Sequence, residues 1–484
     1  MKKHNLNHAS LGAKFGYATG DILGGGAYVL ISLLFLEYLV NVQGLNAGLA
    51  GVVIMLGKIW DAVTDPMMGI ISDRTRSRAG RRRIYLLIGV LPVIFTFAMM
   101  WFDLGAAGQM AKLVYFSAAY MLFSTAFTIV MVPYNALLPD MVESYRERAG
   151  FSTVRMLVSN LSALVTAVLP GLMLGDRSPA AYLRIGVLFG CFYGLPLIVT
   201  YFTTWELPQA DSEIPGMGEM LRQLKDSFRN RAYRQYLGIF VCGQMATDVT
   251  TTLAVFWLRD ILGRSSMLSA LSGLTMIVAL ALLPLNNWLA QHRGKQVPAI
   301  WEQPVRILGL AIAFAMGKSS PLWLLLGVAI LSGVGASAST FVPWTLLPDL
   351  PDSDEMISGR RNAGIYAGVS TFVRKFTSGV AIFLVGVALN AFGYVESSAG
   401  QSAVQSAQAL LGVRVLYTLV PIALTVITWV LAARFTMTME NHAKIREAVR
   451  IRRETGAPAQ DPALIAACEQ VAGRKFDTMW VGRV

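Results

Sequence analysis

The sequence predicts an all-α integral membrane protein: twelve transmembrane helices in two six-helix bundles, with both termini cytoplasmic. Three observations carry this. Of 484 residues, 55% are hydrophobic and 14% charged, with a mean hydropathy of +0.53, whereas a soluble chain carries roughly a quarter charged residues. Apolar runs of roughly 20–28 residues recur between short polar breaks, the length that a hydrocarbon core of about 30 Å asks of a helix. Lysines and arginines gather in some loops and avoid others. The period-two alternation of barrel strands is absent.

Taken in order, the N-terminal "MKKHNLNHASLGAKFG" is basic and short. It leads into an apolar segment that contains Asp21, reaches about residue 40 and lacks a small-residue cleavage site, so a first span is expected in place of a removable signal. Glycine and proline breaks, length and charge then place spans near 15–40, 46–72, 84–103, 110–138, 150–175 and 180–203. A second set is expected near 233–258, 266–291, 299–317, 321–348, 362–393 and 409–435. The chain thus divides into a bundle (1–203), a polar cytoplasmic linker (204–232), a second bundle (233–438) and a tail (439–484) read as a solvated basic helix.

Orientation follows from the loops. The loop after the second span holds Arg74, Arg76, Arg78, Arg81, Arg82 and Arg83, and the loop after the first, "NVQGLN", holds no basic residue. Linker and tail are basic too, so both termini face the cytoplasm and the span count is even. An internal repeat agrees: "VPYNALLPD" (132–140) ends the fourth span and "VPWTLLPD" (342–349) ends the tenth. Two six-span halves repeated in parallel are the organisation of the major facilitator fold.

Composition also excludes classes. Cys191, Cys242 and Cys468 stand in unrelated contexts and make neither a disulfide framework nor a metal site. His4, His8, His292 and His442 fall in tails or loops, which argues against a membrane-embedded enzyme. No nucleic-acid partner is expected; membrane lipids and a small molecule are the expected partners, and the chain is expected to be a monomer.

An ionisable side chain inside a span costs roughly 2.5–3.5 kcal/mol on insertion scales, so each one present asks for a reason. Those found are Asp21, Lys58, Asp61, Asp65, Arg155, Asp248, Arg374 and Lys375. Asp61 and Asp65 are four apart and share a helix face. Two carboxylates so close need a cation between them or a shared proton, which suits a monovalent ion cycling on and off. Lys58 lies on the same side, within ion-pairing reach. Thr128 offers a hydroxyl oxygen, and Lys375, from the second half, is a cation that seeks a carboxylate. Asp21 and Arg155 combine a hydroxyl acceptor with a forked donor, as a polyol or sugar site would. Tyr134, Trp344 and Trp257 offer ring faces, and Asp248 with Gln244 is a further candidate. Asp73, amid arginines at a helix end, is expected to hold one face shut, with Lys58, Arg74, Asp140 and Arg148 in the same gating set.

"KIWDAVTDPMMGIISDRTRSRAGRRR", "VPYNALLPD" with "RERAGFSTVR", and "RRNAGIYAGVSTFVRK" together resemble the glycoside–pentoside–hexuronide:cation symporters, the melibiose permease branch of the major facilitator superfamily, over roughly residues 10–440. The resemblance implies cation-coupled symport of a glycoside by alternating access in a bacterial inner membrane. No cofactor is implied, the co-substrate being Na+, Li+ or H+. It maps the cation site onto Asp61, Asp65 and Thr128, with Thr64 where melibiose permeases carry an asparagine, and places Lys375 at the family's mid-membrane lysine. Asp21, Arg155 and Trp344 correspond to sugar-binding residues. Met131 replaces the second sugar-binding aspartate and Asn135 the ring-stacking tryptophan. A pocket short of one acid is expected to use Arg155 and Lys375 for an anionic sugar. The rival expectation is a lysophospholipid or amphiphile carrier of the same fold, which the apolar Met131 favours.

Overall fold

The computed structural model describes residues 10–105, 107–142, 145–174, 178–206, 228, 230–359, 363–395 and 404–482, without the side chains of Ile70, Asp73, Pro139, 145–149, 363–365 and 367. These residues form helices joined by short connections, and eleven helices are long and apolar enough to cross a membrane. The first half holds α1 (Leu11–Phe35), α2 (Ala47–Arg74), α3 (Arg83–Ile88), α4 (Val90–Met99), α5 (Gln109–Met141), α6 (Tyr145–Met173) and α7 (Pro179–Thr203). The second half holds α8 (Arg231–Ile261), α9 (Ser265–His292), α10 (Val297–Ala315), α11 (Leu322–Leu346), α12 (Leu350–Ser358), α13 (Ala363–Ala391) and α14 (Ala407–Ala433). The linker lies mostly outside the described residues.

One expected span differs. The segment 84–103 forms two short helices, α3 and α4, that meet at Gly89. A Cβ at Gly89 would stand 2.0 Å from Val130 Cγ2, so α5 presses against the break and only glycine fits. A close approach also explains "GGG" (24–26) in α1: a Cβ on Gly25 would lie 2.3 Å from the Ser159 carbonyl oxygen of α6.

The repeat read from the sequence has a structural counterpart. Arg81 and Arg82 reach Asp140 of "LPD" at 3.0 and 2.6 Å, and Lys295 reaches Asp349 of the second "LPD" at 2.7 Å. Glu206 accepts the backbone N–H groups of Arg81, Arg82 and Arg83 at 2.7–2.8 Å, placing a carboxylate at the start of α3 where the helix dipole favours it. Asp140 therefore holds its own half together. Arg74 is exposed at the end of α2, and Asp73 and Arg148 lie outside the described side chains.

The halves touch along α2 and α13, along α6 and α9, and where α8 meets the end of α1. Asn46 Nδ2 donates to Asn390 Oδ1 at 3.2 Å, and Glu37 lies 3.6 Å from Arg259. A Cβ on Gly386 would stand 2.3 Å from the Ala47 carbonyl oxygen, so the backbones there are nearly in contact. Among the described residues, the contacts between halves lie on this side or at mid-helix, away from the arginine-rich loops. Among the described residues, these contacts close the Glu37–Arg259 end.

The tail departs from the expected solvated helix. α15 (Met439–Thr455) and α16 (Pro462–Ala472) bury Ile445, Ala448, Val449, Cys468 and Val471 in one apolar cluster with Tyr233, Leu346 and Tyr366 of the second half. Arg453 pairs with Glu355 and His442 Nε2 lies 2.9 Å from Asp352, both on α12. Periodic apolar residues hidden among the arginines of "HAKIREAVRIRRETG" give α15 a face to bury.

Candidate functional site

Asp61 and Asp65 project from one face of α2 towards α5 and α13. Thr128 of α5 donates to Asp61 Oδ1 at 3.1 Å and to Asp65 Oδ1 at 2.9 Å. Lys375 of α13 lies 2.7 Å from Asp61 Oδ2 as an ion contact and donates to Asp65 Oδ2 at 2.5 Å. The second half thus places an ammonium between the two acids of the first. Asp61 is sealed at 1% exposed while the Asp65 side chain is 23% exposed, so the nest is accessible on the Asp65 side. Four carboxylate oxygens and a hydroxyl in this spacing suit a small monovalent cation or a proton.

Two expected members stand aside. The Thr64 hydroxyl donates to the carbonyl oxygens of Trp60 and Asp61 on its own helix, at 3.0 and 3.3 Å. This is the local bond that a helical threonine makes by default. Lys58 does not pair with Asp61: its ammonium sits 4.4 Å from the centre of the Tyr28 ring.

The second constellation lies nearer the open end. α1 breaks at Thr19–Gly20 and Asp21 falls in the first turn of the helix that resumes, where the dipole supports its charge. Arg155 of α6 forks onto it, Nε and Nη2 each 3.1 Å from a carboxylate oxygen, and Nη2 donates to Asn135 Oδ1 at 2.5 Å. Asn135 is exposed. Tyr134 is a wall of this site and offers no free face. It is fully buried, with Tyr17 stacked 4.8 Å from one side and the Arg155 guanidinium 4.9 Å from its centre. Met131 lies beside Asp21, since a Cβ on Gly24 would approach both. Trp344 is 55% exposed and packs edge-on against Phe240 of α8. Trp257 is buried against Tyr417, 4.6 Å away.

Arg155 and Lys375 were expected to be available to an anion. In this arrangement each is paired with carboxylates of the protein itself.

Asp248 of α8 accepts from Ser378 Oγ at 2.6 Å and from Arg374 at 3.4 Å, and Arg374 also donates to Gln244 Oε1 at 3.1 Å. Neighbours on α13, Arg374 and Lys375 point to different partners, one to its own half and one across. Sequence reasoning missed Glu37, which is 2% exposed, accepts from the Tyr182 hydroxyl and pairs with Arg259. It stands between π-helical turns at Ile31–Phe35 and Tyr38–Val42. An acid in "LLFLEYLV" was the signal. Glu302 and Arg306, four apart in α10, were missed too; Arg306 Nη1 donates to Thr247 at 3.0 Å.

Two helical halves clasping a buried layer of paired charges define a secondary membrane transporter, a multi-pass protein of the bacterial inner membrane and not an enzyme. Residues 16–439 match the model of the MFS/sugar transport protein family, and the chain belongs to that family, the glycoside–pentoside–hexuronide type of symporter. It is 27% identical to an uncharacterized symporter of Synechocystis, over 91% of this chain and 97% of that protein. It is 23% identical to the glucuronide carrier protein homolog of Escherichia coli, over 89% and 93%. The nucleoside transporter NupG shares the fold, with a TM-score of 0.59 at 13% identity over 89% of this chain and 98% of that one.

Proposed function

We propose that the protein is a cation-coupled symporter of a glycoside or related sugar, working by alternating access across twelve spans with both termini in the cytoplasm. Here α3 and α4 together make the third span. The observation that carries this reading is the Asp61–Asp65–Thr128 nest closed by Lys375 from the opposite half. In the empty carrier Lys375 satisfies both acids, so the halves can rock without an uncompensated buried charge. A sodium ion, lithium ion or proton arriving at Asp65 competes with the ammonium and releases it. Sugar hydroxyls then bind at Asp21, Arg155 and Asn135, and cation and sugar raise each other's affinity by the same factor. Closure at the Glu37–Arg259 end, with no contact of comparable strength between the halves at the arginine-rich end among the described residues, supports an inward-facing reading.

The test is uptake into proteoliposomes from a panel of glycosides, pentosides and uronides, with imposed sodium or pH gradients. Accumulation of a panel member against its own gradient supports the reading. Transport of lysophosphatidylcholine alone, with every glycoside ignored, contradicts it.

A further inference from the structure

Among the described residues, Glu302 is a buried acid without a paired cation. It lies in α10, 6% exposed, and its Oε2 has no hydrogen-bond partner. The polar groups beside it are neutral: the Asn286 side chain of α9 and the Ala338 N–H of α11. Asn286 Nδ2 donates to Ser337 Oγ at 2.9 Å and Gln303 Nε2 to Ser339 Oγ at 3.1 Å, while both serine hydroxyls are committed to backbone carbonyl oxygens at 2.9 Å. Those bonds fix which end of each amide is the oxygen, and both oxygens are buried without a partner. The shortage here is of donors. An ionised carboxylate in such surroundings is costly, and a carboxylic acid far less so.

Arg306 gives a second, independent sign. It stands one turn after Glu302 on the same helix face, and acid before base is the favoured order at this spacing. Its guanidinium instead reaches across to α8, donating to Thr247 Oγ1 at 3.0 Å and Thr250 Oγ1 at 3.5 Å, and to Ser339 Oγ at 3.4 Å. A guanidinium takes an ionised carboxylate in preference to neutral oxygens, by charge as well as by fit. One that passes over an acid a turn away in favour of hydroxyls is therefore beside a neutral acid. Few other charges face the pair. α11 carries no ionisable residue. Asp248 of α8 and Tyr417 of α14 act on Arg306, and Asp248 is already paired with Arg374. His292 is exposed at the end of α9, Lys295 is held by Asp349, and Arg414 of α14 donates to the Phe314 carbonyl at the far end of α10.

We propose that Glu302 is a proton-binding site of the second half, separate from the Asp61–Asp65 nest, and that its proton decides where Arg306 is held. With the proton on, Arg306 bonds α8; when the proton leaves to water, the carboxylate draws Arg306 back to α10. Thr247 and Thr250 flank Asp248, so the switch bears on the residue that pairs with Arg374.

The test is infrared spectroscopy of the purified full chain from pH 5 to pH 10, each protein measured against its own Glu302→Gln counterpart. At pH 7 the difference is expected to show one protonated-carboxyl C=O band, which is lost as the pH rises. Arg306→Met removes the cation that receives the ionised form, so its band should persist to a pH higher by about one unit or more. Thr247→Val with Thr250→Val removes the hydroxyls that hold Arg306 away, so its band should vanish at a lower pH. Absence of the band at pH 7 in the wild type overturns the proton site, and shifts other than these overturn the switch. Should R306M fail to fold, the threonine double variant decides. The spectra need no solute, so failure here and failure of the symport reading are told apart.

Discussion

Thr128 is the residue whose loss should be most legible, because one hydroxyl serves both carboxylates. Thr128→Val keeps the shape and removes the oxygen. Cation affinity, read from the sodium or proton dependence of sugar binding, is expected to fall about tenfold, the worth of a charge-assisted hydrogen bond. Arg155→Lys removes the fork on Asp21 while keeping the charge, and sugar affinity should fall by a similar factor with the cation dependence unchanged. In the tail, burial pushes the Cys468 thiol up to about 12, with the Glu469 charge adding to the effect. The proton is therefore held at neutral pH, and alkylation at pH 8 should wait for unfolding of the tail. At this scale the acids were readable because charges in oil are rare and their spacing is visible. Tyr134 and Thr64 were not: which face of a ring is already covered, or which oxygen a hydroxyl has chosen, depends on neighbours more than a hundred residues away or on local geometry.

Among the elements, the gate and the tail carry the strongest expectations. Glu37 links α1 to Arg259 of α8, which keeps Asp260 as a second partner in its own half. Glu37→Gln weakens the link between halves without stranding the arginine, so the outward-open population should rise about fivefold or more. The readout is the distance between spin labels at positions 46 and 390, across this end; an unchanged distance distribution contradicts the latch. Ile445 is fully buried between tail and bundle. Ile445→Ala should cost roughly 2–5 kcal/mol of stability, seen as a lower Tm in detergent. The span pattern was legible from apolar length alone. The break at Gly89 was not, because its cause is Val130 on another helix. The tail was misread for a similar reason: its net charge is obvious, whereas the apolar stripe that docks it shows only at helical period.

For the whole molecule, the account is one of charge balance across a seam. Each half contributes part of the charged layer, and Asp61 and Asp65 of the first half find their cation, Lys375, in the second. The repeat, the loop charges and the carboxylate pair were enough to place that seam, and the lone lysine opposite them named its partner. What the sequence could not say is which end is shut, since that depends on the relative energies of two arrangements of the same contacts. The most direct test is concentrative uptake by the Asp61→Asn, Asp65→Asn double variant in proteoliposomes under a sodium or proton gradient. The account predicts that gradient-driven accumulation falls to the level of empty liposomes; accumulation equal to that of the wild type would contradict it.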